Sequence, residues 1–393
     1  MKIRKIEVNT LTGTAAEPNL GDGQWQCQPL HQYPDFLPRH SPKASPAGRK
    51  LEGIFVEIVG EDGNTGRYGP LYRVQGQLIR DQLGPFLVGR DALAIETLHD
   101  QMLRLDRHGR NGYLMTAISA LDCALWDLKG KVLGQPVYRL LGGPSRTRLP
   151  VYASMLGFSV EPEAAASTAN RIKAEGFAAQ KWFFAHGPGE GEAGLRRNLD
   201  LARALRATVG ADYPLMFDAF MGWDLPYADR MLSGLEEVHP AWVEEPVPPE
   251  HLESFRRLKQ AHPGIPLATG EHVYGRWQTS ELLATRSIDV LQNDPDWTGG
   301  ITEQVHICSL ASAASVPVVA HGHSVLPALH IAAARPPATV PYVEFLLSFQ
   351  KEKQHFQARR LWPENGTLPL PDAPGLGMEL DEDRIESRQE FTG

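Results

Sequence analysis

The sequence predicts an α/β fold in which a smaller α+β amino-terminal domain precedes a TIM-like barrel of alternating strands and helices. Three observations predict it. The 393 residues suffice for a barrel of roughly 250 residues and a second, smaller domain. From residue 150 onward, short apolar runs alternate with helical stretches. Five ionisable residues, Asp218, Glu244, Glu271, Asp294 and His321, stand 26, 27, 23 and 27 residues apart, each at or just past the end of such a run. That step matches one β/α unit, so five consecutive strand ends would converge on one site.

The amino-terminal elements come first. Residues 2–11 alternate as a strand does, and residues 53–69 read as a strand, an Asp-Gly turn and a second strand. Between them, Gly13 to Lys50 is rich in Gly, Pro, His and aromatic residues and has little periodicity, which marks a long loop. From Val74 to about Val132 the pattern turns helical, clearest over 115–134, where Met115, Ile118, Leu121, Leu125 and Leu128 form an apolar stripe. Pro136 and the paired Gly142 and Gly143 punctuate the chain there. The predicted organisation is an α+β domain over 1–145 with a loop at about 13–50, a barrel over 146–350, and a segment over 351–393 that packs back on the first domain.

Eight strands follow: 150–154, 178–184, 214–218, 241–245, 266–271, 289–294, 316–321 and 342–347. Helices such as 162–176 and 193–210 separate most of them. Eight alternating strands in about 200 residues favour a closed barrel over an open sheet. A net charge of −8 gives no support to nucleic-acid binding, and 42% hydrophobic with 22% charged residues is ordinary for a globular chain. Three cysteines without CxxC spacing fit a reducing cytoplasm, and no stretch approaches a membrane span.

The chemistry follows from the strand ends. Asp218, Glu244 and Glu271 on successive strands repel one another unless neutralised, and hard oxygen donors favour Mg²⁺ over Zn²⁺. Glu245 competes with Glu244, and because adjacent strand residues face opposite ways only one is expected at the site. His272 follows Glu271 and is a candidate substrate contact, and Asp296 competes with Asp294. Asp294 beside His321 would fix one ring nitrogen and leave the other to accept a proton. His323 and His330 read as structural. Lys181 would pair with a substrate carboxylate or act as a base. In the long loop, His31, Arg39, His40 and Arg49 are candidate polar contacts and Trp25 and Tyr33 candidate sugar-stacking rings, with Arg49 and His31 favoured.

The motifs at 116–143, the strand ends FDA, WVEEP, TGEH and QNDPDWTGG, then VVAHGHS and VEFL resemble the mandelate racemase branch of the enolase superfamily, most closely its acid-sugar dehydratases of the rhamnonate dehydratase type. The resemblance implies a (β/α)7β barrel whose mouth the amino-terminal domain caps. It implies Mg²⁺ on Asp218, Glu244 and Glu271, an Asp294–His321 dyad, and Glu344 near the substrate carboxylate. Many relatives carry Lys-x-Lys on the second strand, the second lysine being a base. Here Phe183 fills that place, which implies elimination of water from an aldonic acid to a 2-keto-3-deoxy acid. An epimerase of the same superfamily and a non-catalytic barrel remain the alternatives, and a symmetric homo-oligomer is expected.

Overall fold

The computed structural model describes residues 1–38 and 43–393. In chain order its strands are β1 (Ile3–Thr14), β2 (Lys50–Gly60), β3 (Thr65–Leu71), β4 (Arg148–Ser154), β5 (Gln180–Phe183), β6 (Leu215–Asp218), β7 (Trp242–Glu244), β8 (Leu267–Thr269), β9 (Val290–Leu291), β10 (Val343–Leu346), β11 (Thr367–Pro369) and β12 (Ser387–Glu390).

The strands form two sheets. An antiparallel sheet of order β12-β1-β2-β3 joins the two chain ends, with Asn9 opposite Glu390. The second sheet runs β10-β4-β5-β6-β7-β8-β9 in parallel, with β11 added antiparallel to β4. Between β9 and β10, the predicted strand at 316–321 pairs only through a single bridge from Leu291 to Val318. Counting that bridge, eight strand positions alternate with seven helices, which is a TIM-like (β/α)7β barrel.

The barrel strands are short and buried on both faces, as parallel strands covered by helices must be. Inside the barrel, Tyr152, Ala179, Met216, Trp242, Ala268, Val290 and Val319 form one apolar layer, with Tyr342 against it. Side chains two apart on a strand share a face. The next residues on that face are Lys181, Asp218, Glu244, Gln292, His321 and Glu344, so a polar layer rests directly on the apolar one.

The helix Gly112–Val132 is buried on almost every side because it lies between the antiparallel sheet and the barrel helix Gly300–Ala313. Ser119 Oγ accepts the Gly299 N–H at 2.8 Å, Asp122 accepts the Thr302 N–H at 2.9 Å, and Trp126 Nε1 donates to Thr302 Oγ1 at 2.9 Å. Gly300 has φ of +87°, and a Cβ there would stand 2.3 Å from Asp122 Oδ2, so this crossing requires glycine.

Candidate active site

The acids converge from neighbouring strands in register. Asp218 on β6 pairs across from Glu244 on β7, and Glu271 follows the end of β8. Lys181 Nζ lies 2.5 Å from Glu244 Oε1, 2.9 Å from Glu344 Oε1 and 3.3 Å from Asp218 Oδ2. All four residues are buried. Burial alone would push the lysine down, but Glu244 and Glu344 outweigh it and hold the ammonium well above its usual range. Asp218 is driven well up by burial and then by Glu244, and Glu271 is pushed up to about 7 by burial, against the pull of His321. Glu344 is held down: burial opposes this, and Lys181 overcomes it.

A second group lies around Glu271. His321 Nε2 is 3.7 Å from Glu271 Oε2, and His321 Nδ1 is 3.5 Å from Asp294 Oδ2, an ion-pair separation longer than a good hydrogen bond. Burial lowers the imidazole, yet Glu271 and Asp294 bring it up to about 9. Asp294 is itself fixed: Oδ1 accepts the Asp296 N–H at 2.7 Å and Oδ2 the His323 N–H at 3.2 Å. His272 Nδ1 stands 3.0 Å from Glu245 Oε2 and 3.6 Å from Glu271 Oε1.

The strand ends at Glu244, whose carboxylate meets Lys181, while Glu245 takes a φ of +39° and sets its carboxylate against Thr269 and His272. Its donor atoms, with those of Glu271 and His272, form the group within 4.8 Å of one another, whereas Asp218 and Glu244 are drawn to Lys181. Arg49 does not reach the acids. Its guanidinium pairs with Glu352 and donates to Pro46 O at 3.0 Å, in a cavity of about 180 Å³ shared with the carboxy-terminal segment. His31 is buried beside the turn at Pro188–Glu190, after β5, and likewise makes no contact with the acids. Tyr33 is exposed. Arg39 and His40 lie outside the described residues.

The loop itself runs over the barrel mouth. Gln24 N–H donates to Gly157 O at 3.1 Å and Cys27 N–H to Phe184 O at 2.8 Å, across the ends of β4 and β5. Phe183, two residues past Lys181, is buried with its ring centre 5.4 Å from Lys181 Nζ.

His323 is held on both ring nitrogens, as a structural residue is. Its Nδ1 contacts Asp296 and lies 2.7 Å from Lys353 Nζ, while Nε2 meets Tyr72 Oη at 2.9 Å. Tyr68 Oη also donates to Asp296, so two tyrosines of the amino-terminal domain end on this barrel network. His330 is structural as read: Nδ1 accepts the Tyr138 N–H and Nε2 faces Leu376 O.

Trp297 was missed by sequence reasoning. Its ring centre lies 4.7 Å from that of His321, 5.0 Å from His323 and 5.6 Å from His272. With Tyr72, Tyr113, Tyr274 and His272 it lines a cavity of about 530 Å³. Its indole N–H, the Gln292 amide and His321 Nδ1 are buried without a hydrogen-bond partner among the described residues. The one available signal was its place three residues after Asp294.

The comparisons with known proteins agree with this geometry. The family model for the mandelate racemase / muconate lactonizing enzyme N-terminal domain matches residues 52–142, and that for the enolase C-terminal domain-like fold matches 163–384. The chain belongs to this family. L-rhamnonate dehydratase of Saccharopolyspora erythraea is 34% identical, the match covering 100% of this chain and 99% of that protein. A rhamnonate dehydratase from Gibberella zeae, crystallised with Mg, superposes with a TM-score of 0.83 at 29% identity, over 98% of this chain and 95% of that one. The 3,6-anhydro-D-galactonate cycloisomerase from Zobellia galactanivorans superposes with a TM-score of 0.79 at 28% identity, over 98% and 100% of the two chains. The fold thus hosts more than one reaction, and the site residues must carry the assignment.

The donor set fits a divalent cation. Three buried carboxylates on adjacent strand ends, two of them forced toward protonation by burial and mutual repulsion, present the hard oxygen ligands and excess negative charge that such an ion neutralises. Among the described residues no helix is long and apolar enough to cross a membrane.

Proposed function

We propose that this chain is a magnesium-dependent acid-sugar dehydratase acting on an aldonic acid of the rhamnonate or lyxonate type. The observation that carries the reading is one-sidedness: His321 backed by Asp294 is a proton acceptor on one strand end, while Phe183, two residues past Lys181, offers no second base. A racemase needs two opposed proton shuttles, whereas an elimination needs one.

In this reading Asp218, Glu244 and Glu271 hold the ion, which when bound supplies Lewis acidity to the substrate carboxylate. His321 Nε2 takes the C2 proton, and Asp294, facing Nδ1, balances the imidazolium that forms. The C–H electron pair passes into the carboxylate, then returns to form the C2–C3 double bond as the C3–O bond breaks. The 3-hydroxyl leaves as water with the proton that His321 gives back, and the enol converts to the 2-keto acid by exchange with solvent. Lys181, kept as an ammonium by Glu244 and Glu344, is a fixed charge at the carboxylate end rather than a base. Glu344 orients it, and His272 contacts the polyol from the cavity wall.

Incubation of the protein and Mg²⁺ with a panel of aldonic and aldaric acids tests this. A 2-keto-3-deoxy product from one stereochemical subset is the expected result. Deuterium entering C2 with the 3-hydroxyl retained would show an epimerase instead, and no turnover of any acid with metal bound would leave a binding protein.

A further inference from the structure

The dyad is incomplete as a device for holding a ring. His321 Nδ1 stops 3.5 Å from Asp294, its Nε2 stops 3.7 Å from Glu271, and Nδ1 has no hydrogen-bond partner among the described residues. A base that must meet a C–H bond within a few tenths of an ångström needs something else to set its plane.

We propose that Trp297 is the positioning residue for His321. The two rings stack with centres 4.7 Å apart and planes 29° from parallel, within the range of offset aromatic packing. Trp297 is itself anchored. Its backbone N–H donates to Asp294 O at 3.0 Å, which fixes the residue's main chain in the same turn that carries the dyad acid. It also packs against His323, whose two nitrogens are engaged by Asp296, Lys353 and Tyr72 and whose ring lies 5.0 Å from that of Phe349. His321 therefore rests, through one indole, on a network that joins the barrel, the amino-terminal domain and the helix Leu347–Lys353.

The stack also acts on charge. As an imidazolium, His321 is a cation lying on an indole face, and the ring quadrupole attracts that form more than the neutral imidazole. A residue that only sets the plane of the base acts on kcat and leaves ground-state binding nearly unchanged. This inference rests on the proposed dehydratase reading for its kinetic part and on geometry alone for its structural part.

The experiment uses Trp297→Leu and Trp297→Phe, with melting temperatures to confirm folding. With the acid sugar identified by the panel, Trp297→Leu is expected to lower kcat roughly 10- to 30-fold with KM within about threefold, and to slow C2 deuterium exchange in parallel. Trp297→Phe, which keeps a ring, should recover most of the loss, and Mg²⁺ affinity should not move. A rise in KM at unchanged kcat would overturn the proposal and make Trp297 a wall of the substrate cavity. The structural part is read by NMR without turnover: the His321 ring protons should be shifted upfield by the indole, and Trp297→Leu should abolish that shift and loosen the ring. An ordered, unshifted His321 in the wild type would overturn it even if no acid sugar is turned over, an outcome that bears separately on the dehydratase reading.

Discussion

Two Asp–His pairs stand two residues apart on the same two strand ends, and they behave in opposite ways. Asp294–His321 is open: the atoms are 3.5 Å apart, and Glu271 helps bring the histidine up to about 9 against its burial. Asp296–His323 is closed: the groups are in hydrogen-bond contact, Lys353 sits 2.7 Å from both, and burial with the lysine pushes the histidine down to about 4. The residue types are identical. What differs is the third partner, an acid in one pair and an ammonium in the other, which leaves the first ready to exchange a proton and makes the second a tie between domains.

The largest effect should come from opening the first pair completely. His321→Asn is expected to lower turnover by at least about 10³-fold while Mg²⁺ still binds by calorimetry. Retained activity would remove the proposed base. Asp294→Asn keeps shape but loses the charge that balances the imidazolium, and about 10²-fold in kcat is expected with little change in KM. An equal loss after Asp296→Asn would erase the contrast between the pairs.

The closed pair should answer in stability. Lys353→Met leaves Asp296 buried without its ammonium, and a destabilisation of about 3–5 kcal/mol in urea unfolding is expected. A fall in kcat of more than severalfold in the folded variant would mean the network acts on chemistry beyond holding the domains together.

The smallest effect is the pH dependence, where the two pairs have opposite signs. His323 and His330, both pushed down to about 4, stay neutral in the fold, whereas the unfolded chain protonates near 6.5. Their contribution is full above about pH 6.5 and is lost as pH falls through about 4. His321, raised to about 9, contributes fully below about pH 6.5, and that contribution is lost as pH rises through about 9. Melting temperatures in EDTA should therefore decline on both sides. The alkaline decline should flatten in His321→Asn, and the acid decline should flatten in His330→Gln.

Much of the site was legible because the barrel repeats. Most barrel strands have an apolar residue at one interior layer and a polar one two positions later, so the ends at Lys181, Asp218, Glu244 and His321 follow by counting, whereas Ala268 is followed two positions on by Gly270 and Glu271 comes one later. The loop contacts resisted the same treatment. Arg49 is paired with Glu352, about three hundred residues away. Nothing local to an arginine states which acid the fold will bring to it. Glu244 and Glu245 do take different partners, Lys181 for one and Thr269 with His272 for the other, but the partners of Glu245 follow from a positive φ just past the strand that alternation alone does not foresee.

The sequence alone determined the alternation of strands and helices, the family and the order of acids along the barrel, because these depend on period and spacing within a single β/α unit. The tertiary structure decided which histidine is free and which is bound. That choice depends on Lys353, Tyr72 and Trp297, which come from a late helix, the other domain and a loop. Protonation is set by the charges and burial around a group, and those are properties of the packed molecule rather than of neighbours in the chain.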